Sequence, residues 1–563
     1  MGSEMERKIK LPGKYQLLLL LPFAFCYAFF IVLGDWQRSV PYSNTQNMAR
    51  LLLWMAVSYG VLLLLGFFSE NGGALVTAYV PAGARKMLYG PFLQRHDRKG
   101  RWQVWLLFFG ICLLCYLPYY LMYFPTWFNN DAVWQMEQAL GLAARSNHHP
   151  YFHTMIIKVF LTVGYGVFHS YTSAVALYTF FQMALTAAVF GYFLYLLYRR
   201  GTGFLWLILA VFFYALLPVN GMFSICMGKD AWFTAAFLLF LWTAHVCASG
   251  RWSGRYQWTK FVMTGLAVCL LRSNGIFIFT GTAFFLILAG FCGRKRATTQ
   301  SGRDCGRWRN RYTAVAAVLL GYLLWQGPVL GVLEVEPPDT IESLTMPTQH
   351  LLCAYKRGGN LTQEEVEMLE AVVPLAQIDE YYNPYLFDMT KNYIREYGNQ
   401  SVIADHRGDY AKLWLRVGLR NPMLYLEAEI RQTAGYYALH IPHEQILYSE
   451  YFMVDNPFGI ESQRKAFSYD AELSMGAFLQ WFQGFYNKVW SLGMNTWLLL
   501  AAFACALYRR RNAVGFVPCI MLLLSLLLAT PVYNEFRYAY GVFVALPLLF
   551  SLSFGKETEE YEK

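Results

Sequence analysis

Residues 171–198 read YTSAVALYTFFQMALTAAVFGYFLYLLY and are followed at once by Arg199 and Arg200. No charged side chain interrupts the run, and it exceeds the roughly 20 apolar residues a helix needs to cross about 30 Å of hydrocarbon. Lipid offers no partner to an exposed peptide group, so a spanning segment is a helix or part of a closed barrel. A continuous apolar run, unlike an alternating one, is a helix. Residues 15–34 and 102–124 read the same way, and the first of these lacks the small-residue cleavage site of a signal peptide. The whole 563-residue chain is 56% hydrophobic and only 15% charged. A soluble domain is nearer one quarter charged, so lipid is the expected solvent and an all-α, polytopic bundle the expected fold.

The two arginines matter as much as the run before them. Short basic loops stay in the cytoplasm, so Arg199 and Arg200 mark the inner end of their helix. The same rule places Arg7, Lys8, Lys10 and Lys14 inside, with the loop bearing Arg85 to Arg101, the loop bearing Arg294 to Arg311, and Arg509 to Arg511. Parity then gives about 12 spans with both termini cytoplasmic. Residues 151–168 are apolar, but His153 and Lys158 interrupt them, and a crossing there would deliver Arg199 and Arg200 to the outside. They are therefore expected to lie along the outer surface as an amphipathic helix.

The net charge of +10 divides unevenly along the chain. Residues 334–490 hold 12 basic and 22 acidic residues, net −10, which leaves the remainder at +20. The basic surplus sits in short loops between apolar runs, so it is a topological signal and not one of nucleic-acid binding. Three regions follow: an amino-terminal membrane module over 1–333 with an external loop at 125–170, a mostly helical extracytoplasmic segment over 334–490, and closing membrane helices with a cytoplasmic tail over 491–563. In the external segment Thr362 and Glu365 have the spacing of a capping box. Only Cys353 among the eleven cysteines falls in that segment, which excludes a disulfide framework there. Cys112 and Cys115 lie in an apolar run and read as buried hydrophobes.

With sidedness fixed, separated polar residues fall at the outer leaflet: Asp131, His148, His149, Lys229, Asp230, Arg272, Asn274, Glu535 and Arg537. Ionisable groups at the edge of apolar helices are costly to leave unpaired, so each is a candidate partner or site residue. Lys229, Arg272 and Arg537 suit an anionic phosphate. Asp131 suits a general base on an acceptor hydroxyl, with His148 and His149 as further catalytic candidates. Plainer readings stand beside these. Asp131 can cap the helix that follows it, Lys229 can pair with its neighbour Asp230, Arg537 can pair with Glu535, and Arg272 can anchor at the headgroups. The histidine pair leaves a divalent metal open as the one candidate cofactor.

The order and placement of these motifs resemble the GT-C superfamily of membrane glycosyltransferases, which includes the protein O-mannosyltransferases and the aminoarabinose transferases. An external Asp closes Phe128-Asn-Asn-Asp131, and the His-Pro element Asn147-His-His-Pro150 follows it. Phe536-Arg-Tyr538 leads into Val542-Phe-Val-Ala-Leu-Pro547 near the end. The resemblance implies that Asp131 is the catalytic carboxylate, that Arg537 contacts donor phosphate, and that the donor is a polyprenyl-phosphate or -pyrophosphate sugar. The chain departs from the family pattern at Ala132 and Tyr151, and two helices precede the family's usual first one. The expected activity is glycosyl transfer to a glycan, lipid or protein acceptor on the outer face of a bacterial plasma membrane. A transporter or flippase of an anionic lipid-linked substrate, and a polymerase or ligase of lipid-linked glycans, are the alternatives.

Overall fold

In the computed structural model, residues 9–37, 44–81, 83–84, 101–249, 255–294, 303–442, 456, 458–461, 463, 465–529 and 533–555 are described. The basic loop residues between 85 and 100 and between 295 and 302 therefore lie outside the described residues. Among the described residues the chain is helical throughout, with two isolated β-bridges and no strand.

Among the described residues, the main helices before the acidic segment are α1 Lys14–Gln37, α2 Asn44–Tyr79, α3 Arg101–Met122, α4 Asn130–Leu140, α5 Tyr151–Phe168, α6 Tyr171–Arg199, α7 Phe204–Val211, α8 Pro218–Ile225, α9 Lys229–Ala248, α10 Arg255–Leu271, α11 Gly275–Arg294 and α12 Arg303–Leu324. The acidic segment contributes α13 Thr340–Ser343, α14 Thr345–Lys356, α15 Gln363–Glu370, α16 Asp388–Tyr397, α17 Arg407–Arg420, α18 Pro422–Thr433 and α19 Tyr469–Val489, besides shorter turns. The chain closes with α20 Leu492–Tyr508, α21 Val517–Ala529 and α22 Phe536–Phe554.

Eight of these helices are long and apolar enough to cross a membrane, or up to ten if each of two bent pairs is one span. The chain is thus a multi-pass membrane protein. The difference from the twelve spans expected from the sequence has a physical origin in length. Gly275–Phe291 and Val514–Ala529 are apolar but short, and α10 is shorter still in its apolar part. Helix α5 also differs from expectation, because by length and hydropathy it qualifies as a span. Of the two side chains that interrupt the run, His153 is fully buried and turned inward, and Lys158 is exposed. The packing of α5 is instructive. Tyr165 stacks on Tyr171, Gly164 meets Ala174, and Phe160 meets Tyr178 and Phe181. An 18-residue helix about 27 Å long thus contacts the first three turns of α6, about 15 Å of its length.

One continuous core runs through α3, α6, α9 and α22, where Tyr116, Phe193, Phe237 and Tyr540 are among the fully buried residues. A second core, with Ile341, Leu352, Phe387 and Leu413, belongs to the acidic segment. The capping box forms there: Thr362 Oγ1 accepts from the Glu365 amide, and the Glu365 carboxylate accepts from the Thr362 amide. Cys26, Cys112, Cys115, Cys226, Cys247, Cys269, Cys353, Cys505 and Cys519 are free thiols.

Helix α22 sets the polarity of the bundle. At its carboxyl end Arg509 donates to the Ser553 carbonyl at 2.7 Å, Arg511 donates to the Leu552 carbonyl at 2.7 Å, and Arg200 reaches the Ser551 hydroxyl at 3.2 Å. These cations meet carbonyls that no further helical turn can satisfy, on the negative end of the macrodipole. Arg537 begins the same helix, about 28 Å away over its 19 residues.

Candidate functional site

Two short backbone zippers bring the site together. Residues 126–127 lie against 225–227: the Trp127 amide donates to the Ile225 carbonyl at 3.2 Å, and the Met227 amide donates to the Trp127 carbonyl at 3.0 Å. This sets the start of α4, with Asp131 in its first turn, beside Lys229, the first residue of α9. Gly228 permits the approach, because a Cβ there would sit 3.0 Å from the Asn129 side chain. The second zipper pairs Ser146 with Glu336. The Asn147 amide donates to the Glu336 carbonyl at 2.8 Å, and the Glu336 amide donates to the Arg145 carbonyl at 2.9 Å. It pins the His148-His149 loop to the start of the acidic segment.

Asp131 does not cap α4. Asn129 is the N-cap, with its side-chain oxygen accepting from the Ala132 amide at 2.8 Å. The Asp131 carboxylate is left to accept from Lys229 Nζ at 2.8 Å and from Arg537 Nη1 at 3.1 Å, both on Oδ2. Its other oxygen lies 3.9 Å from His149 Nε2. Lys229 Nζ also donates to His149 Nδ1 at 2.9 Å, which leaves the imidazole proton on Nε2, toward the carboxylate. Lys229 thus pairs across the site and not with its neighbour. Asp230 instead faces Arg272 at 3.4 Å, and both are buried. Arg272 is therefore no headgroup anchor: its guanidinium lies over the rings of Phe233 and Tyr538, at 5.2 and 4.7 Å. Arg537 covers Tyr538 at 5.0 Å, and Glu535 lies 2.9 Å from Arg537 Nε.

The remaining sequence candidates turn elsewhere. His148 packs edge-on against His149 but points to Glu342 of α13, 4.0 Å away, where Lys391 and Arg395 also gather. The Asn274 amide donates to Ser525 on α21 at 2.8 Å and takes no part in the cluster. Tyr538 was not read as a site residue, although its place beside Arg537 marked it.

Formal charge in the cluster cancels, with Lys229, Arg537 and Arg272 against Asp131, Asp230 and Glu535. The backbone tips the balance. Lys229 and Arg537 each stand at a helix amino terminus, where the macrodipole adds about half a positive charge and ordinarily disfavours a cation. Burial raises the pKa of Asp131, but Lys229, Arg537 and His149 together outweigh it and hold the carboxyl well below the usual range. Burial, reinforced by Lys229 and opposed by Asp131, depresses the His149 imidazole well below 6.5. The centre at neutral pH is a carboxylate, two cations and a neutral histidine.

This fixes a sign for stability. A histidine held neutral in the folded chain but free to protonate once unfolded makes the unfolded state bind more protons as pH falls below about 6.5. The melting temperature is expected to fall between pH 7 and 5, and His149→Gln is expected to flatten that slope. Equal slopes in the two proteins would contradict the placement. Asp131 adds its own loss at more acid pH, beginning as the unfolded carboxyl protonates near 3.8 and continuing below it.

Among the described residues no three of His, Cys, Asp and Glu gather as metal ligands. The Asp131 oxygen best placed to hold a cation already takes an ammonium and a guanidinium, so the residues present do not fit a divalent ion there. No curated protein and no solved structure matches the chain. Residues 142–563, a span that takes in His148, His149, Lys229 and Arg537 but begins after Asp131, match a family of unknown function described as DUF6020, and the chain belongs to that family.

Proposed function

We propose that this protein is a membrane glycosyltransferase of GT-C-like architecture. In this reading it transfers a sugar from a polyprenyl-phosphate or -pyrophosphate donor to an acceptor on the outer face of a bacterial plasma membrane. The observation that carries the reading is the convergence of Asp131, Lys229 and Arg537 on one carboxylate oxygen, at the end of α22 opposite its arginine-capped carbonyls. The reading includes twelve spans, cytoplasmic termini and a surface-lying α5. The ring contacts of α5 with the first three turns of α6 support the last of these.

The chemistry follows from competition for the cations. A donor phosphate entering beside Lys229 and Arg537 takes over their hydrogen bonds, and Asp131 loses the partners that depress its pKa. The released carboxylate accepts the proton of the acceptor hydroxyl as the acceptor oxygen bonds to the anomeric carbon. The bond from that carbon to the phosphate oxygen breaks, and its electron pair leaves on the phosphate, where Lys229 and Arg537 stabilise the new charge. The neutral His149 keeps Lys229 oriented. No step needs a group outside the chain, the donor and the acceptor.

The test is release of free polyprenyl phosphate by the purified full-length protein, supplied with polyprenyl-phosphate sugars and candidate acceptors. Acceptor-dependent release is the expected result. Movement of the intact lipid across a vesicle membrane without bond cleavage would instead establish a transporter. Elongation of the lipid-linked glycan itself would establish a polymerase.

A further inference from the structure

Directly behind the centre lies a second, fully buried polar network that none of the chemistry above uses. Gln135, His153, Thr154, Tyr178 and Gln182 are each 0–1% exposed. His153 Nδ1 lies 2.9 Å from Gln135 Oε1 and its Nε2 lies 2.7 Å from the Tyr178 hydroxyl. The other end of the Gln135 amide meets the Thr154 hydroxyl at 3.0 Å, so both of its polar atoms are engaged whichever way the amide is turned. The Tyr178 hydroxyl also donates to Gln182 Oε1 at 3.0 Å and accepts from Trp232 Nε1 at 2.8 Å. Gln182 Nε2 completes the set, donating to the carbonyls of Ser224 and Cys226 at 3.0 and 2.8 Å.

The register of these residues is the informative feature. Gln135 stands one helical turn after Asp131 on α4, His153 about one turn after His149 at the start of α5, and Trp232 three residues after Lys229 on α9. Successive turns of one helix face share a direction, so Gln135 and Trp232 lie beneath the site residues they follow, while His153 stands in the first turn of α5, directly after the loop that carries His149. Ser224 lies in the last turn of α8 and Cys226 in the bridge-forming stretch that leads into Lys229. One hub on α6 therefore holds three independent elements: α4, which carries Asp131, α9, which carries Lys229, and the start of α5, which follows the loop that carries His149.

We propose that His153 and Tyr178 are positioning residues, which set the distances among Asp131, His149 and Lys229 by clamping α4, α5 and α9 to α6. A buried network is costly when partly satisfied, so loss of one member frees its neighbours to seek other partners and shifts the elements that carry them. A shift near 1 Å at reacting groups costs about 100-fold in rate. The kinetic arm of the test rests on the glycosyl-transfer reading; the structural arm does not.

The experiment compares wild type, His153→Ala, His153→Gln and Tyr178→Phe as full-length proteins in lipid nanodiscs. Each is measured by an experimental density map of the cluster and by donor-dependent polyprenyl phosphate release. His153→Ala is expected to part Lys229 from Asp131 beyond hydrogen-bond reach and to lower kcat by about 100-fold, with KM within about twofold of wild type. His153→Gln, which retains a polar group of similar reach, is expected to restore most of both. Should His153→Ala fail to fold, Tyr178→Phe, which deletes one oxygen, reads the same two quantities. A lowered melting temperature with the cluster distances and kcat unchanged would overturn the proposal and leave the network a support of the fold alone. If wild type releases no polyprenyl phosphate from any donor, the glycosyl-transfer reading fails, and the maps alone decide the positioning claim.

Discussion

Asp131→Asn is expected to abolish turnover while leaving donor binding intact or tighter. The asparagine keeps the shape of the side chain and removes its charge and its capacity to take a proton. General-base catalysis by a positioned group contributes about 100- to 10,000-fold, so kcat should fall by at least about 1,000-fold when charge orientation is lost with it. Binding should move the other way. In the resting protein Lys229 and Arg537 are both spent on Asp131, and a donor phosphate must displace that carboxylate. With asparagine in its place the two cations face each other across a neutral amide, and an incoming phosphate relieves their repulsion. Donor affinity measured by titration in nanodiscs is expected to stay constant or rise. Turnover at the wild-type rate would remove Asp131 from the chemistry. Weaker donor binding would show that the carboxylate, and not the cations, holds the donor.

The second large effect belongs to Arg537. Arg537→Ala is expected to raise the KM for the lipid donor about 100-fold, equivalent to about 2.7 kcal/mol. The variant has a built-in complication. Glu535 is buried, and it lies against the guanidinium, so the single change removes a cation that holds this carboxylate. Removing one partner of a buried pair commonly costs about 3–5 kcal/mol in stability. The double variant Glu535→Gln with Arg537→Ala relieves that strain, and its melting temperature should recover while its KM does not. Arg537→Lys is expected to fall short as well. An ammonium keeps the charge but cannot contact Asp131 and lie over the Tyr538 ring in the planar manner of the guanidinium. Recovery of KM in the double variant would assign Arg537 to the fold and not to the donor.

How the sequence foreshadowed this centre is clearest residue by residue. The apolar runs announced the helices, because hydrophobic length is a direct readout of the solvent. The arginines did further work: Arg200, Arg509 and Arg511 mark the end of the bundle remote from Arg537, and they meet there at the carboxyl end of α22. Sidedness alone assigned Asp131, His149, Lys229 and Arg537 to one face, together with His148 and Asn274, which turn elsewhere. It did not assign the pairing among the four. Lys229 and Asp230 are neighbours in sequence, yet successive residues of a helix diverge by about 100°, and their partners come from α4 and from the turn after α10. The N-cap of α4 fell to Asn129, because capping is decided by which side chain reaches the first free amides, a matter of two residues of offset. His153 was misleading for a related reason. A histidine in an apolar run signals a water-facing edge only when nothing inside answers it, and here Gln135 and Tyr178 answer both ring nitrogens. Such a partnership spans three helices and leaves no periodicity to read.

All of these expectations place the carboxylate and its cations on the face of the membrane opposite the arginine-capped end of α22. Single cysteines at Ala144, exposed in the loop beside His148, and at Ala513, beside Arg511, report that arrangement directly. In intact cells a membrane-impermeant thiol reagent is expected to label the Ala144→Cys protein, and to label the Ala513→Cys protein only after the membrane is opened. Labelling of both positions from one side, or of position 144 only from within, would contradict it.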